Sequence, residues 1–309
     1  MAKARAGKRG EILLANGRGA ILDAAKALAR EPYLAVAEIA GSASAGRILL
    51  AAKLGEKELE AHFKERIVEA VETSFDAKAM AVRARAVRKL GAIALTDHPR
   101  PVEASEEAAR MLAEGITRAG IDRLPWSDAT RQWLDRVRFM RRAEGDPWPD
   151  LSPEVLKSRA DEWLVPALFT KTSLAQFRAD DLMRALRTLL PRELEHRLEH
   201  EAPQYFKIPT GWDLLIDYAP EDGPALSVRV QELFGLDRHP SLAGGRVPLT
   251  LELLSPARRP IQTTKNLPAF WRGSWAEVKR EMRGRYPKHP WPDDPMAAAP
   301  TRRAKPRGK

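Results

Sequence analysis

Cysteine is absent from all 309 residues, which excludes thiol nucleophiles, Cys-ligated zinc and any disulfide-stapled secreted scaffold. A reducing compartment, the cytoplasm, is the expected location. No apolar run approaches the roughly 18–20 residues that a membrane span needs, so no membrane partner is expected. The basic opening, MAKARAGKRGE, has no apolar stretch behind it and does not read as a signal peptide. A Gly-x-Ser-x-Gly elbow is also missing, and the carboxylates are scattered rather than paired for acid–base work. No catalytic residue is assigned.

Two short motifs fail on inspection. Gly41 and Gly46 have the spacing of a phosphate-binding loop, but Arg47 and Ile48 stand where a lysine and a Ser/Thr must reach the phosphates and magnesium. The segment also links two strands, so it reads as a hairpin loop. His196, Glu199 and His200 follow the order of an inverted zinc-protease motif. They lie in a charged helix with no obvious third ligand downstream, so they read as a solvated helix face and no metal is expected.

What the chain does have is a placed charge. Residues 257–309 hold 14 Lys and Arg against 4 Asp and Glu, so the whole formal excess of +10 lies in the last 53 residues. Lys3, Arg5, Lys8 and Arg9 form a smaller basic cluster at the start. Localised positive charge points to a polyanion, because each phosphate contact displaces a condensed counterion; a tail that only aids solubility is the alternative. With 44% hydrophobic and 30% charged residues the chain can build both a core and a solvated surface. Its length is that of about two domains.

The first region reads as strands. Segments 12–15 and 18–22 flank Asn16-Gly17, a dipeptide suited to the two positive-φ positions of a tight hairpin turn. Segments 33–40 and 47–52 are further strands. Leu59, Phe63 and Ile67 recur at helical spacing, and 79–90 and 92–95 return to strand patterning. Strands, one helix, then two strands is the order of an OB-like barrel over 11–102, after a basic segment at 1–10. Alternation along 79–90 puts Arg83, Arg85 and Lys89 on the outside of a late barrel strand, where such barrels hold single strands in a positive groove. A solvated strand face is the other reading of each.

Residues 103–201 change to helical period. Ala104, Ala108, Met111, Leu112 and Ala119 make one stripe. Ser127 caps a second helix with Trp133, Leu134 and Val137 inward and Arg131, Arg138, Arg141 and Arg142 outward. Ser152-Pro153 starts a third helix, and leucines at 182, 186 and 189 and at 194 and 198 mark two more. Residues 202–268 are strand-rich, with runs at 205–208, 212–218, 226–230 and 247–254. A helix carrying Trp271, Trp275 and Val278 follows within 269–295, its proline-rich end wrapping the surface, and 296–309 is expected to be a disordered basic tail. The fold class is therefore α+β: an OB-like β-barrel, a helical layer, and a second mixed β/α domain with an extended basic tail.

The stretch 270–295 interleaves Arg272, Lys279, Arg280, Arg283, Arg285 and Lys288 with Trp271, Trp275, Tyr286 and Trp291. The cations suit phosphate contact. The tryptophans fit two roles equally, base stacking or burial that pins the tail to the core.

RGRYPKHPWPDDP at 283–295, with AGGRVPL at 243–249, QELFGL at 231–236, LLSPARRPIQTT at 253–264 and LLANGRGA at 13–20, resembles the C-terminal end of bacterial DEAH-type ATP-dependent RNA helicases. The resemblance runs from about residue 2 to 309. It implies a C-terminal fragment or separately encoded half whose motor domains, with their Walker A, DEAH and arginine-finger motifs, are not in this sequence. The ATP and magnesium of such an enzyme belong to that motor, and no cofactor is expected here. The implied role is an accessory region that binds RNA or another single-stranded nucleic acid, partnered by the motor domains. The alternative is a structural docking module for the motor without nucleic-acid binding.

Overall fold

Alternating apolar residues at the very start of the chain make a strand, so the barrel begins before the expected position. The structure is a computed structural model that describes residues 1–5, 7–41 and 46–303. The chain divides into two units, Met1–Gly115 with Thr170–Leu174, and Ile116–Phe169 with Ala175–Lys309.

In the first unit, β1 (Ala2–Ala4), β2 (Glu11–Leu14), β3 (Gly19–Ile21), β4 (Tyr33–Ala40) and β5 (Gly46–Lys53) close a barrel in the order β1-β2-β3-β5-β4. Only β3 and β5 run parallel, which is the Greek-key arrangement of an OB-type barrel. Ile12, Leu14, Leu22, Leu34 and Ile48 fill it, each contributing about 1.5–3 kcal/mol of burial. The supposed basic segment 1–10 is thus partly a barrel strand: Ala2 is fully buried, and Lys3 Nζ donates to the Ala94 carbonyl. The β2–β3 turn differs from the expected one: only Gly17 has a positive φ, 86°, Asn16 does not, and the Gly17 N–H closes the turn on the Leu14 carbonyl at 2.9 Å. Residues 42–45, the centre of the glycine-flanked loop, lie outside the described residues. Gly46, at its far side, opens a strand antiparallel to β4 rather than a helix.

The barrel is complete before α1 (Glu56–Phe63). The later strands form a separate antiparallel sheet of β6 (Ile67–Asp76), β7 (Ala81–Leu90) and β8 (Ile93–Arg100), with β7 in the middle. This corrects two expectations. Ile67 starts a strand instead of ending a helix, and Arg83, Arg85 and Lys89 lie on β7 of this sheet, not on the barrel. The physical reason is that five strands already satisfy the barrel edges, so β6 to β8 pair among themselves. The sheet still touches the barrel through its β7–β8 turn: Ala92 N–H donates to the Ala15 carbonyl at 2.9 Å. Gly91 there has φ 60°, and a Cβ on it would sit 2.2 Å from the same oxygen. Residues 170–174 run beside the start of β7, with Val82 N–H on the Thr172 carbonyl at 2.8 Å.

α2 (Glu106–Ala119) leads into the second unit. There α3 (Asp128–Glu144) is capped as expected: Ser127 Oγ accepts from Thr130 N–H at 3.1 Å, and the helix stops at Gly145, φ 78°. The third expected helix is two, α4 (Pro153–Ser158) and α5 (Ala160–Leu168), broken at Arg159. α6 (Ala179–Arg187) and α7 (Arg192–Glu201) complete the helical layer. Arg136 of α3, 4% exposed, caps the end of α7. Its Nε donates to the Ala202 carbonyl at 2.5 Å and its Nη2 to Leu198 at 3.2 Å, where the helix dipole favours a cation.

The strand-rich part holds three small sheets. β9 (Tyr205–Lys207) pairs with β10 (Asp213–Leu215). β11 (Ala225–Arg229) is separated in sequence from its parallel neighbour by the hairpin β12 (Ser241–Leu242) and β13 (Val247–Pro248). That neighbour, β14 (Thr250–Leu254), also pairs antiparallel with β15 (Pro260–Thr264). The run 247–254 is therefore two strands, interrupted at the buried Leu249. α8 (Leu267–Arg272) and α9 (Trp275–Arg285) follow. Of the segment expected to be a disordered tail, 296–303 is held by hydrogen bonds: Thr301 N–H donates to the Gln231 carbonyl at 3.0 Å, and Arg302 pairs with the buried Glu232 at 2.8 Å. Residues 304–309 lie outside the described residues.

Candidate nucleic-acid interface

Two sets of cations were candidates, and the structure treats them differently. On the β6–β8 sheet every candidate cation meets a carboxylate from a neighbouring strand or turn. Arg83 Nε lies 3.5 Å from Asp76, Arg85 Nε 2.5 Å from Asp97, and Lys89 pairs with Glu72. Arg88, between them, bridges Glu60 at 2.8 Å and Glu69 at 2.7 Å. The Arg85 hydrogen bond holds the Asp97 carboxyl below the usual carboxylate range. Asp76 is lowered as well, first by the Ala79 backbone N–H and further by Arg83. The row is a charge-balanced sheet surface.

The C-terminal set is built on two short helices. Asn266 Oδ1 accepts from Ala269 N–H at 3.0 Å and starts α8. In α9 the apolar residues Trp275, Val278 and Met282 recur at helical spacing and are buried, which turns the intervening basic residues outward. Trp271 and Trp275 are core residues, 4% and 2% exposed. They pack edge to face at 5.4 Å, and Trp275 meets Phe234 in the same way at 5.6 Å. Each indole N–H is committed: Trp271 to the Leu236 carbonyl at 3.0 Å, Trp275 to Pro292 at 3.0 Å. Neither presents a ring face to solvent, so of the two roles open to these tryptophans the geometry is that of burial. Trp291 is half-buried, donates to the Tyr286 carbonyl at 2.9 Å and lies 6.0 Å from Trp275. Tyr286 is half-buried with its ring against His289.

The cations of this segment split. Lys279 pairs with Asp293, holding that carboxyl below its ordinary range, and Arg285 pairs with Glu281 at 3.0 Å. Arg272, Arg280, Arg283 and Lys288 are exposed. None of these four has a carboxylate within ion-pair distance among the described residues. Arg280 and Arg283, three apart, are neighbours on the helix surface.

Several structural polar residues carried no sequence signal. Glu232, 4% exposed, receives Arg229 at 2.5 Å besides Arg302, and Gln231 bonds His289 at 2.8 Å. Arg302 also lies 4.4 Å above the exposed ring of Trp212. Burial pulls the His289 imidazole below its ordinary value, and Arg229 acts in the same direction. On the outward side of α3, Arg138 and Arg141 serve the backbone, donating to the Leu151 and Trp148 carbonyls at 2.7 Å. Glu199 of the zinc-like motif pairs with Arg136 at 3.0 Å. Among the described residues no three His, Asp or Glu side chains gather to hold a metal ion, and no helix is long and apolar enough to cross a membrane.

Residues 163–295 match a protein family described as ATP-dependent helicase C-terminal, HrpB_C. The match makes this part of the helical layer and the mixed β/α region similar to the C-terminal part of ATP-dependent helicases. More particularly, the chain matches that region of HrpB. It is 39% identical over 306 residues to the ATP-dependent RNA helicase HrpB of Escherichia coli (strain K12), covering 97% of this chain and 38% of that protein. A crystal structure of the E. coli DExH-box NTPase HrpB superposes with a TM-score of 0.64 at 38% identity, over 98% of this chain and 38% of that one. A second, of the Escherichia coli DEAH/RHA helicase HrpB, gives 0.56 at 32% identity, over 94% and 36%. The chain thus spans little more than a third of the length of these relatives.

Proposed function

We propose that this chain is the RNA-binding accessory region of a HrpB-type helicase and does not hydrolyse ATP by itself. One observation supports the reading most: Arg272, Arg280, Arg283 and Lys288 stand exposed with no carboxylate in ion-pair range among the described residues, whereas the other candidates, Arg83, Arg85 and Lys89 on β7 and Lys279 and Arg285 on α9, are each paired. Exposed, unpaired cations are the groups that gain most from phosphate, since no internal ion pair has to be broken. The name of the relative, an RNA helicase, agrees with single-stranded RNA as the anion. The test is fluorescence anisotropy of a labelled single-stranded oligoribonucleotide. Saturable, salt-sensitive binding at low ionic strength is expected; no binding there, or ATP hydrolysis by the purified chain, overturns the proposal.

A docking role for motor domains is the second reading, and the apolar surface of the first unit favours it. Ile21, Leu49 and Leu50 of the barrel are 59%, 48% and 58% exposed, and Val68 and Val71 on the edge strand β6 are likewise open. Co-purification with separately expressed motor domains, without RNA affinity, would favour this reading over the first.

A further inference from the structure

Beside the first half of α3, between the turn before it and α4, the second unit has a groove of about 330 Å³. Its floor is apolar, formed by Ile121, Leu134 and Leu156. Trp126 stands in its wall, half-buried, with the indole N–H fixed on the Ile121 carbonyl at 2.8 Å, and the Arg131 guanidinium lies 5.6 Å from the ring centre. Arg131 and Lys157, both exposed, place two cations at the rim with no carboxylate in ion-pair range among the described residues.

Asp135 is the unusual member. It is half-buried on the groove side of α3 and accepts no hydrogen bond among the described residues. Its nearest cation, Arg138 Nη1, is 3.7 Å away, beyond hydrogen-bond range. Arg138 Nε and Nη2 are both spent on the Leu151 carbonyl, at 3.0 and 2.7 Å. Burial pushes the Asp135 carboxyl up and the Arg138 guanidinium down, as expected when two partly buried charges are too far apart to offset their lost hydration. The groove therefore joins an aromatic wall, a rim carrying Arg131, Lys157 and Asp122, and a carboxylate with acceptor capacity to spare.

We infer that this groove is a base pocket selective for guanine in single-stranded RNA, with Asp135 accepting from the base edge, Trp126 stacking on it, and Arg131 and Lys157 facing the phosphates. Guanine is the RNA base whose Watson–Crick edge presents two adjacent N–H donors, the complement of one carboxylate. Stacking on aromatic and guanidinium planes with edge recognition is how unpaired RNA bases are held. A peptide arginine offers a similar pair of donors, but the lining's cations Arg131, Arg138 and Lys157 outnumber its carboxylates Asp122 and Asp135 and disfavour a further cation. The inference rests on the RNA-binding reading and extends it to a site away from α9.

The test compares uridine-rich oligomers that carry one central guanosine or one central adenosine, titrated against the full chain. The guanosine oligomer is expected to bind about tenfold tighter, the discrimination of one bidentate contact, and D135N to remove that difference. RNA binding with no guanosine preference, or a preference untouched by D135N, overturns the pocket and leaves the RNA-binding reading standing. If no oligomer binds, that reading fails and 5′-GMP against 5′-AMP decides the pocket. A GMP-selective shift of the Trp126 indole NMR signal, assigned through W126F, supports it. No shift, or binding of an arginine-bearing peptide instead, overturns it.

Discussion

Replacing Arg272, Arg280, Arg283 and Lys288 together by alanine separates the two cation sets by salt dependence. Each lysine or arginine that neutralises a phosphate of a single strand contributes about 0.7 to the slope of log affinity against log salt. Four unpaired cations therefore account for a slope of about 2.8, and over a fourfold rise in salt the wild-type chain should lose about 50-fold more affinity than the variant. The matching variant R83A/R85A/K89A removes charges already answered by Asp76, Asp97 and Glu72. Its slope should change by less than about 0.7, one contact's worth. All seven side chains are at least partly solvent-exposed, so each substitution should stay within about 0.5 kcal/mol in stability, which circular-dichroism melts verify. The assay is anisotropy of a labelled oligoribonucleotide at several salt concentrations. A larger loss of slope from the β7 variant than from the C-terminal one would refute the reasoning.

Other expectations concern the second unit. R136A removes the cap on α7, takes the Arg136 donor from the Ala202 carbonyl and leaves Leu198 only its Ala202 N–H donor, while Glu199, 59% exposed, loses its cation to solvent; urea unfolding should show a loss of about 1–3 kcal/mol, and a loss below about 0.5 kcal/mol would argue that water replaces the guanidinium. For Asp135 the sign follows from a raised folded-state pKa. Its favourable contribution is complete below the ordinary carboxylate value of about 3.9 and disappears as pH rises through the raised value. Arg138, Asp217, Arg142 and Arg131 are the charged groups acting on it. D135N should accordingly melt higher than wild type at neutral pH, with the gain shrinking as pH falls toward 4. A lower melting temperature for D135N at neutral pH would mean that the 3.7 Å contact with Arg138 is stabilising after all.

The barrel strands were legible because Ile12, Leu14, Leu34 and Ile48 alternate and Asn16-Gly17 marks a turn. β6 was not. Its residues are exposed along nearly its whole length on both faces, so no alternation is imposed on it, and Ile67 fell into phase with the helix before it. Without β6 the pattern places β7 on the barrel and hides the β6 carboxylates that pair with Arg83, Arg88 and Lys89. Pairing is a property of the neighbouring strand, and a strand read alone cannot report it. The C-terminal segment was legible as basic and aromatic, but buried and exposed tryptophans share one composition; only the packing of Trp271 and Trp275 against Phe234 separates them. Arg136, Glu232 and the Asp135 groove join residues far apart in sequence, and nothing local marks them.

Photochemical cross-linking of a single-stranded oligoribonucleotide to the full chain, followed by peptide mapping, asks most directly where RNA sits. Adducts should fall on peptides within 272–288, and those within 81–90 should stay unmodified. Adducts confined to the β6–β8 sheet, or none under conditions where the relative's RNA substrate cross-links to a full-length helicase, would contradict the account.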